Sequence, residues 1–203
     1  MDWIKRAHIF KKKDNSCEHQ CKQQGIKFTE FESKRLIFRK FHKNDFPVVL
    51  TWHSDPENMG YRRDGVKSVE EVHIFLNWVI SEANSEECKN FWFAVVEKDS
   101  NKLLGEAILN DVPDKPEIGW LVDKKHWGNG IGTEIGASLL YYAFDILKLR
   151  RVIAACHVEN HASYKLMEKI GMRREARFVK EKLYGDTWCD RYQYAILREE
   201  WEK

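Results

Sequence analysis

The feature that most limits how this 203-residue chain can fold is a cluster of three glycines, Gly128, Gly130 and Gly132, set between two patterns of different period. Before it, Glu117-Ile118-Gly119-Trp120-Leu121-Val122 reads as a strand. After it, Ile135, Leu139, Ala143 and Ile146 recur at helical spacing, and Leu140, Phe144 and Leu147 widen the stripe to that of a well-buried helix through about Leu147. A strand must therefore turn into a helix within a few residues. The unpaired N–H groups that open a helix carry partial positive charge and bind phosphate. Glycines there remove the Cβ atoms that would block close approach. Two nucleotide-binding patterns do not fit. A Walker loop ends in Gly-Lys-Ser/Thr, whereas Thr133 follows Gly132 directly, and the dinucleotide fingerprint needs glycine where Thr133 stands.

The other segments alternate in type. Arg35-Leu36-Ile37-Phe38-Arg39 alternates like a strand, and Asn44 or Asp45 opens a helical segment containing Val48, Val49 and Trp52, closed by Ser54-Asp55-Pro56. Ser68 and Glu71 have the spacing of a capping box ahead of Val72, Phe75, Leu76 and Val79. Phe91 to Val96, Leu103 to Leu109 and Glu117 to Val122 are strand-like runs, separated by turns at residues 98–101 and 112–116, and read as an antiparallel meander. Arg151 to His157 is a further strand. Asn160 caps a helix that aligns Ser163, Leu166, Met167 and Ile170 and stops at Gly171. Phe178 to Leu183 and Trp188 to Leu197 form a hairpin around Tyr184-Gly185-Asp186. This order predicts an α+β sheet rather than a repeating βαβ fold.

At this length one compact domain is expected, here residues 31–203, preceded by an extension over residues 1–30. A hydrophobic content of 43% supplies a core and excludes wholesale disorder. With 34 basic and 32 acidic residues, the chain lacks the basic excess of a dedicated nucleic-acid binder. The charge is uneven: residues 1–27 carry seven basic and three acidic side chains, and the remainder is mildly acidic. Trp3, Ala7 and Phe10 at helical spacing describe a short amphipathic turn that could dock elsewhere or pack on itself. No run approaches a membrane span, and the start lacks the apolar core of a secretory signal. Five cysteines without a framework pattern suit a reducing, cytoplasmic setting. Cys17-Glu18-His19-Gln20-Cys21 has no nearby fourth ligand, so no metal is expected. Cys156 and His157 are adjacent on a strand, face opposite sides, and do not form a nucleophilic pair.

Taken together, several segments resemble one superfamily. Trp127-Gly128-Asn129-Gly130-Ile131-Gly132 resembles the pyrophosphate loop of the GNAT acyltransferases, in the form found in RimJ/RimL-type N-acetyltransferases. Residues 32–39 look like that group's first strand, and Ser54-Asp55-Pro56-Glu57-Asn58-Met59 like its Ser-Asp-Pro-Glu turn. Residues 160–172, Asn160 to Met172, are similar to its Asn-x-x-Ser-x-x-Leu-Met-Glu-Lys-x-Gly helix, and Gly185 to Asp190 with Tyr194 to its closing hairpin. The resemblance covers residues 30 to 203.

It implies a mixed, mostly antiparallel sheet with a splayed parallel strand pair, Glu117 to Val122 against Arg151 to Cys156, and helices on both faces. It implies acetyl-CoA as co-substrate and direct acetyl transfer to a primary amine through a tetrahedral intermediate. By similarity the backbone of Trp120, Leu121 and Val122 pairs with the pantetheine arm, and Trp127 and the N–H groups of Gly128, Asn129, Gly130, Ile131, Gly132 and Thr133 hold the pyrophosphate. Asn160 reaches the pantetheine or its thioester end while also capping its helix. His126 is a contact for the 3′-phosphate end or a solvated loop residue. Met167 stands where many members carry a tyrosine acid, so Ser163 is the implied partner of the sulfur, ahead of Tyr164, which lies about 100° away round a helix. An ammonium has no lone pair, so a base must take its proton. Glu181 leads, Glu117 follows, Glu106 and Asp111 stand behind them, and a water relay without one dominant base stays open. Trp52, Tyr61, Trp78, Trp92 and Trp188 are candidates to line the acceptor cleft, with Arg62, Arg63 and Asp64 near its entrance. The expected acceptor is a protein N-terminus or a small-molecule amine. A detoxifying aminoglycoside or polyamine acetyltransferase, a non-catalytic CoA-binding sensor and a basic-headed RNA binder are the rivals. A monomer or homodimer is expected.

Overall fold

In the computed structural model, which describes residues 26–202 except residue 63, eight strands join in one sheet of order β1-β2-β3-β4-β5-β6-β8-β7. The readings on residues 1–25, the Trp3 to Phe10 pattern and the Cys17/Cys21 pair among them, and on Arg63 lie outside the described residues. The strands are β1 (Phe31–Glu32), β2 (Leu36–Arg39), β3 (Phe91–Glu97), β4 (Leu103–Asn110), β5 (Glu117–Val122), β6 (Arg151–His157), β7 (Arg173–Tyr184) and β8 (Thr187–Leu197). Neighbours are antiparallel except β5 and β6, which are parallel and in register only at Glu117 and Ile153, where the Ile153 N–H donates to the Pro116 carbonyl at 2.9 Å. Beyond that point the two strands splay apart. The mixed α+β sheet with a splayed parallel pair is therefore as expected.

Helices cover both faces. On one lie α1 (Phe46–His53), α2 (Pro56–Met59) and α3 (Val69–Glu82), packing Val49, Trp52, Met59, Val72, Leu76 and Val79 onto Ala94 and Leu121. Local signals explain where these helices begin. Ser68 and Glu71 form the reciprocal capping box of α3, and Asp55 caps α2, a short helix not foreseen after the Ser-Asp-Pro stop. The other face carries α4 (Ile131–Tyr141) and α5 (His161–Lys169) over the larger core of Phe91, Phe93, Leu139, Tyr142 and Tyr194. A final turn, α6 (Arg198–Trp201), follows β8.

Three boundaries differ from expectation. The helix thought to run to Leu147 ends as α at Tyr141 and continues as a π turn over Tyr142–Ile146, with Tyr142 buried 4.9 Å from the Phe31 ring. Packing begins before residue 31: the Cys88 N–H donates to the Ile26 carbonyl at 2.7 Å, and the Phe28 ring lies 4.6 Å from that of Phe93. Strand β7 starts five residues earlier than the hydrophobic pattern suggested. Its first residues pair by charge instead, Glu175 bridging Arg151 and Arg173. Farther along, its register with β8 shifts between Phe178 and Lys182, where Lys180 has φ 48°.

Candidate active site

Where β5 leaves β6, a cavity of about 980 Å³ opens between the two faces. The glycine turn closes one end. Gly128 and Gly130 have φ of 78° and 73°, and a Cβ on Gly132 would stand 3.0 Å from the Leu166 side chain of α5. The turn is fixed from outside. Glu134, in the first turn of α4, accepts from the Ser33 hydroxyl at 2.7 Å, the Arg35 N–H at 2.8 Å and the Arg35 Nε at 2.6 Å. The other arm of Arg35, Nη1, donates to the Asn129 carbonyl at 3.1 Å. The Trp127 indole donates to the Val122 carbonyl at 2.8 Å, joining the turn to the end of β5. Trp127, Gly128, Gly130, Ile131, Gly132 and Thr133 line the cavity, as do Trp120, Leu121 and Val122; Asn129 does not. A helix N-terminus with His126, Lys165 and Lys169 on the same cavity suits a phosphorylated cofactor, and a Cβ at Gly132 would crowd the Leu166 side chain that shares the lining.

Helix α5 forms the adjoining wall. The Asn160 side chain accepts the Ser163 N–H at 3.0 Å, and both residues line the cavity with Met167. Burial pushes the neighbouring Cys156 thiol up to about 11, while a hydrogen bond with the Ser163 hydroxyl pulls the other way. Cys156 therefore sits in the wall as a neutral thiol, on the opposite strand face from His157. Tyr164 turns away from the cavity, its ring 5.8 Å from that of Tyr192 and 5.4 Å from the Arg174 guanidinium.

The far end is built from both faces. Glu117 lines it at the root of the splay, beside Ile108 and Asn110 of β4. Tyr61 and Trp92 line it too. The other aromatic candidates do not: Trp52 is in the core, Trp78 meets Trp92 edge-on at 5.9 Å, and Trp188 is exposed on the hairpin. Arg62 lies 5.9 Å over the Trp92 ring, and Asp64 and Asp111 complete the rim. Glu181, the leading base candidate, is not in the lining. Its carboxylate lies on Arg191, Nη1 to Oε2 3.0 Å, while Lys182 and Tyr184, at alternate positions of β7, line the cavity. Glu106 is fully buried outside the lining, its Oε1 2.6 Å from His53 Nε2. Burial alone would raise its pKa, but the charge and hydrogen bond of His53, with Arg62 and Lys67 beyond, hold it below the ordinary glutamate value.

Sequence reasoning missed Arg191, whose Nη2 stands 3.7 Å from Glu117 Oε1, and Tyr184, which lies edge-on 5.0 Å from His157. Arg191 reaches the cavity beside Glu117 because β8 lies next to β6, and order along the chain does not announce that pairing.

Residues 35–173 match the acetyltransferase (GNAT) domain family. An uncharacterized N-acetyltransferase, YnaD, from Bacillus subtilis (strain 168) is 36% identical over 171 residues, 83% of this chain and 97% of the relative. A GNAT-family acetyltransferase from Bacillus anthracis superposes with a TM-score of 0.76 at 36% identity, over 84% of this chain and 99% of that one. A spermidine N-acetyltransferase from Vibrio cholerae, solved with CoA and spermine, reaches 0.74 at 21% identity over 84% and 100%, a likeness of fold. The chain belongs to the GNAT acetyltransferase family. It is an N-acetyltransferase that uses acetyl-CoA.

Proposed function

We propose that this enzyme acetylates the primary amine of a small molecule, with Glu117 receiving the amine's proton. The observation that carries the reading is the position of Glu117. It is the carboxylate at the root of the β5–β6 splay, and it lines the cavity shared with the glycine turn. Strands β3 and β4, the α2 region and the β7–β8 hairpin wall this end on several sides, which supports a compact acceptor over a long peptide. The motifs resemble those of the RimJ/RimL type, and that resemblance does not name the acceptor.

Acetyl-CoA supplies an activated thioester. The turn from Trp127 to Thr133 and the α4 N-terminus hold its pyrophosphate, and the free edge of Trp120 to Val122 aligns its arm, as an added strand would. Asn160 and Ser163 face the thioester end. Glu117, directly or through one water, takes the first proton so that the nitrogen has a lone pair. The N–C bond forms and the C–S bond breaks, the sulfur leaving with the electron pair. The nitrogen loses a second proton, which ends on sulfur. Ser163 is the hydroxyl available to hydrogen-bond that sulfur, and a thiolate of ordinary pKa needs only modest help.

The test is CoA-thiol release from acetyl-CoA against amino acids, polyamines, aminoglycosides and N-terminal peptides, with wild type beside Glu117→Gln. Turnover on a small-molecule class with a loss of about a hundredfold or more in the variant is expected. Unimpaired Glu117→Gln, or turnover of peptides alone, refutes the reading.

A further inference from the structure

We propose that the acceptor is an α-amino acid or a close analogue, a molecule whose carboxylate sits on the carbon that bears its amine. The inference rests on the reading of Glu117 given above and adds to it what Arg191 does. Both residues line the cavity, with Arg191 Nη2 3.7 Å from Glu117 Oε1, beyond hydrogen-bonding distance. The opposite arm of the guanidinium, Nη1, is held by Glu181 at 3.0 Å from outside the cavity. Arg191 is mostly buried, so its charge there acts at less than full solvent screening. One wall thus presents an anion and a cation side by side, with the cation aimed by a second carboxylate.

A plain ammonium drawn to Glu117 meets the Arg191 charge at the same moment. A zwitterion does not suffer this. Its ammonium lies on Glu117 and its carboxylate on the guanidinium, so that the four charges alternate in sign. The fork of an arginine binds a carboxylate through two donors at once, which gives direction as well as attraction. Lys182 adds a second cation to this wall and has no acid in ion-pair reach among the described residues. The remaining charges at this end are Arg62, set over Trp92, Asp64, 3.6 Å from Lys67, Asp111, and Glu57, which is neutralised by Lys124 at 3.0 Å. A polycation would have to pass Arg62, Lys182 and Arg191 together.

Alternation along β7 sets the arrangement. The shift between Phe178 and Lys182 adds two residues to β7 and leaves its faces unexchanged. Lys182 and Tyr184 line the cavity, and Glu181, the residue before Lys182, stays out of the lining with its carboxylate on Arg191. Glu181 is then a positioning residue that acts through Arg191. The transfer keeps the balance already given, the product being an N-acetyl amino acid and CoA.

The experiment compares kcat/KM for each standard amino acid, its amide and its decarboxylated amine, using acetyl-CoA and thiol release. The best-accepted acid should exceed its own amide and amine by about tenfold or more, the worth of one charge-assisted, two-donor contact. In Arg191→Gln the ratio should fall toward one, in Arg191→Lys it should fall part of the way, and Glu181→Gln should lower it without altering any group in the cavity lining. Calorimetric titration with CoA shows that each variant is folded. An amide or amine accepted as well as the acid, no turnover of any free amino acid, or a ratio that survives Arg191→Gln overturns the inference. Glu117→Gln run in parallel separates the two readings. If it abolishes transfer and no acid preference exists, the amino-acid inference falls and the proton role stands. If it transfers normally, the proton role falls whatever the preference.

Discussion

Arg35→Ala should weaken CoA binding about tenfold while costing the fold little. The side chain makes two contacts that matter here, Nε to Glu134 at 2.6 Å and Nη1 to the Asn129 carbonyl at 3.1 Å. Glu134 keeps the Ser33 hydroxyl and the residue-35 backbone N–H after the change, so it is not stranded. Arg35 is 44% exposed, and an ion pair that open to solvent is worth about 0–1 kcal/mol. For a domain of this size the Tm should therefore fall by at most about 4 °C. The effect on CoA is larger, because two consequences share a sign. Glu134 becomes an uncompensated negative charge in the first turn of α4, where a charge weighs about 0.3–1 kcal/mol, and here it opposes a bound anion. The Asn129 carbonyl is also released, so the turn must be ordered on binding, at about 1 kcal/mol for one residue. Together these come to about 1.3–2 kcal/mol, or about a tenfold rise in Kd or somewhat more. Calorimetric titration with CoA and thermal melts measure both quantities. Arg35→Lys, which keeps the charge and loses the second arm, should recover part of the affinity. A Tm loss with the Kd for CoA unchanged would show that Arg35 braces β2 and not the turn.

The buried pair offers a second test. His53 Nδ1, Glu106 Oε2 and the Trp52 indole N–H have no partner among the described residues. His53→Leu should cost about 3–5 kcal/mol in a urea melt by leaving the Glu106 charge unpaired, and His53→Leu with Glu106→Leu should restore most of it; a double variant as weak as the single would show that the pair is not the source of the loss. Asp45 sets an acid limit to stability. Burial alone would raise its pKa, but the two hydrogen bonds from Arg39 at 2.8 Å, the His42 N–H and the neighbouring charges outweigh this and lower it. A lowered folded value means that the stabilisation is complete above the unfolded value of about 3.9 and is lost as pH falls through the folded one. Asp45→Asn should therefore unfold more easily than wild type near neutrality, with the gap closing in acid; a gap of constant size down the whole pH range would refute this.

The parts of this fold that could be read in advance are those whose signal is local. The capping pair Ser68 and Glu71, the Asn160 cap with its stop at Gly171, and the period change across Gly128 to Gly132 each act within one or two helical turns, and each appears where expected. The β5–β6 splay came instead from resemblance, since nothing in the alternation of Glu117 to Val122 says which strand lies beside it. The same limit hid the role of residues 26–30, whose contacts are with Cys88, Phe93 and Tyr142, far along the chain.

On the acceptor side this limit decides the chemistry. Lys180, Glu181 and Lys182 alternate in sign, and regular strand geometry would send Glu181 to one face with both lysines on the other. The positive φ at Lys180, braced by its N–H to the Asp190 carboxylate at 2.9 Å, sits within a shift that adds two residues to β7, so Lys182 keeps the face that alternation assigns it. A lysine is not the residue that announces a left-handed position, so its own identity carries no warning. The consequence reaches across the sheet. The carboxylate that resembled a base becomes the support of Arg191, and Arg191, on a strand whose neighbours are set by topology, becomes the cation beside Glu117. Cross-strand pairing thus separates an acceptor end with two carboxylates, suited to a bare cation, from one with a carboxylate and a guanidinium, suited to a zwitterion.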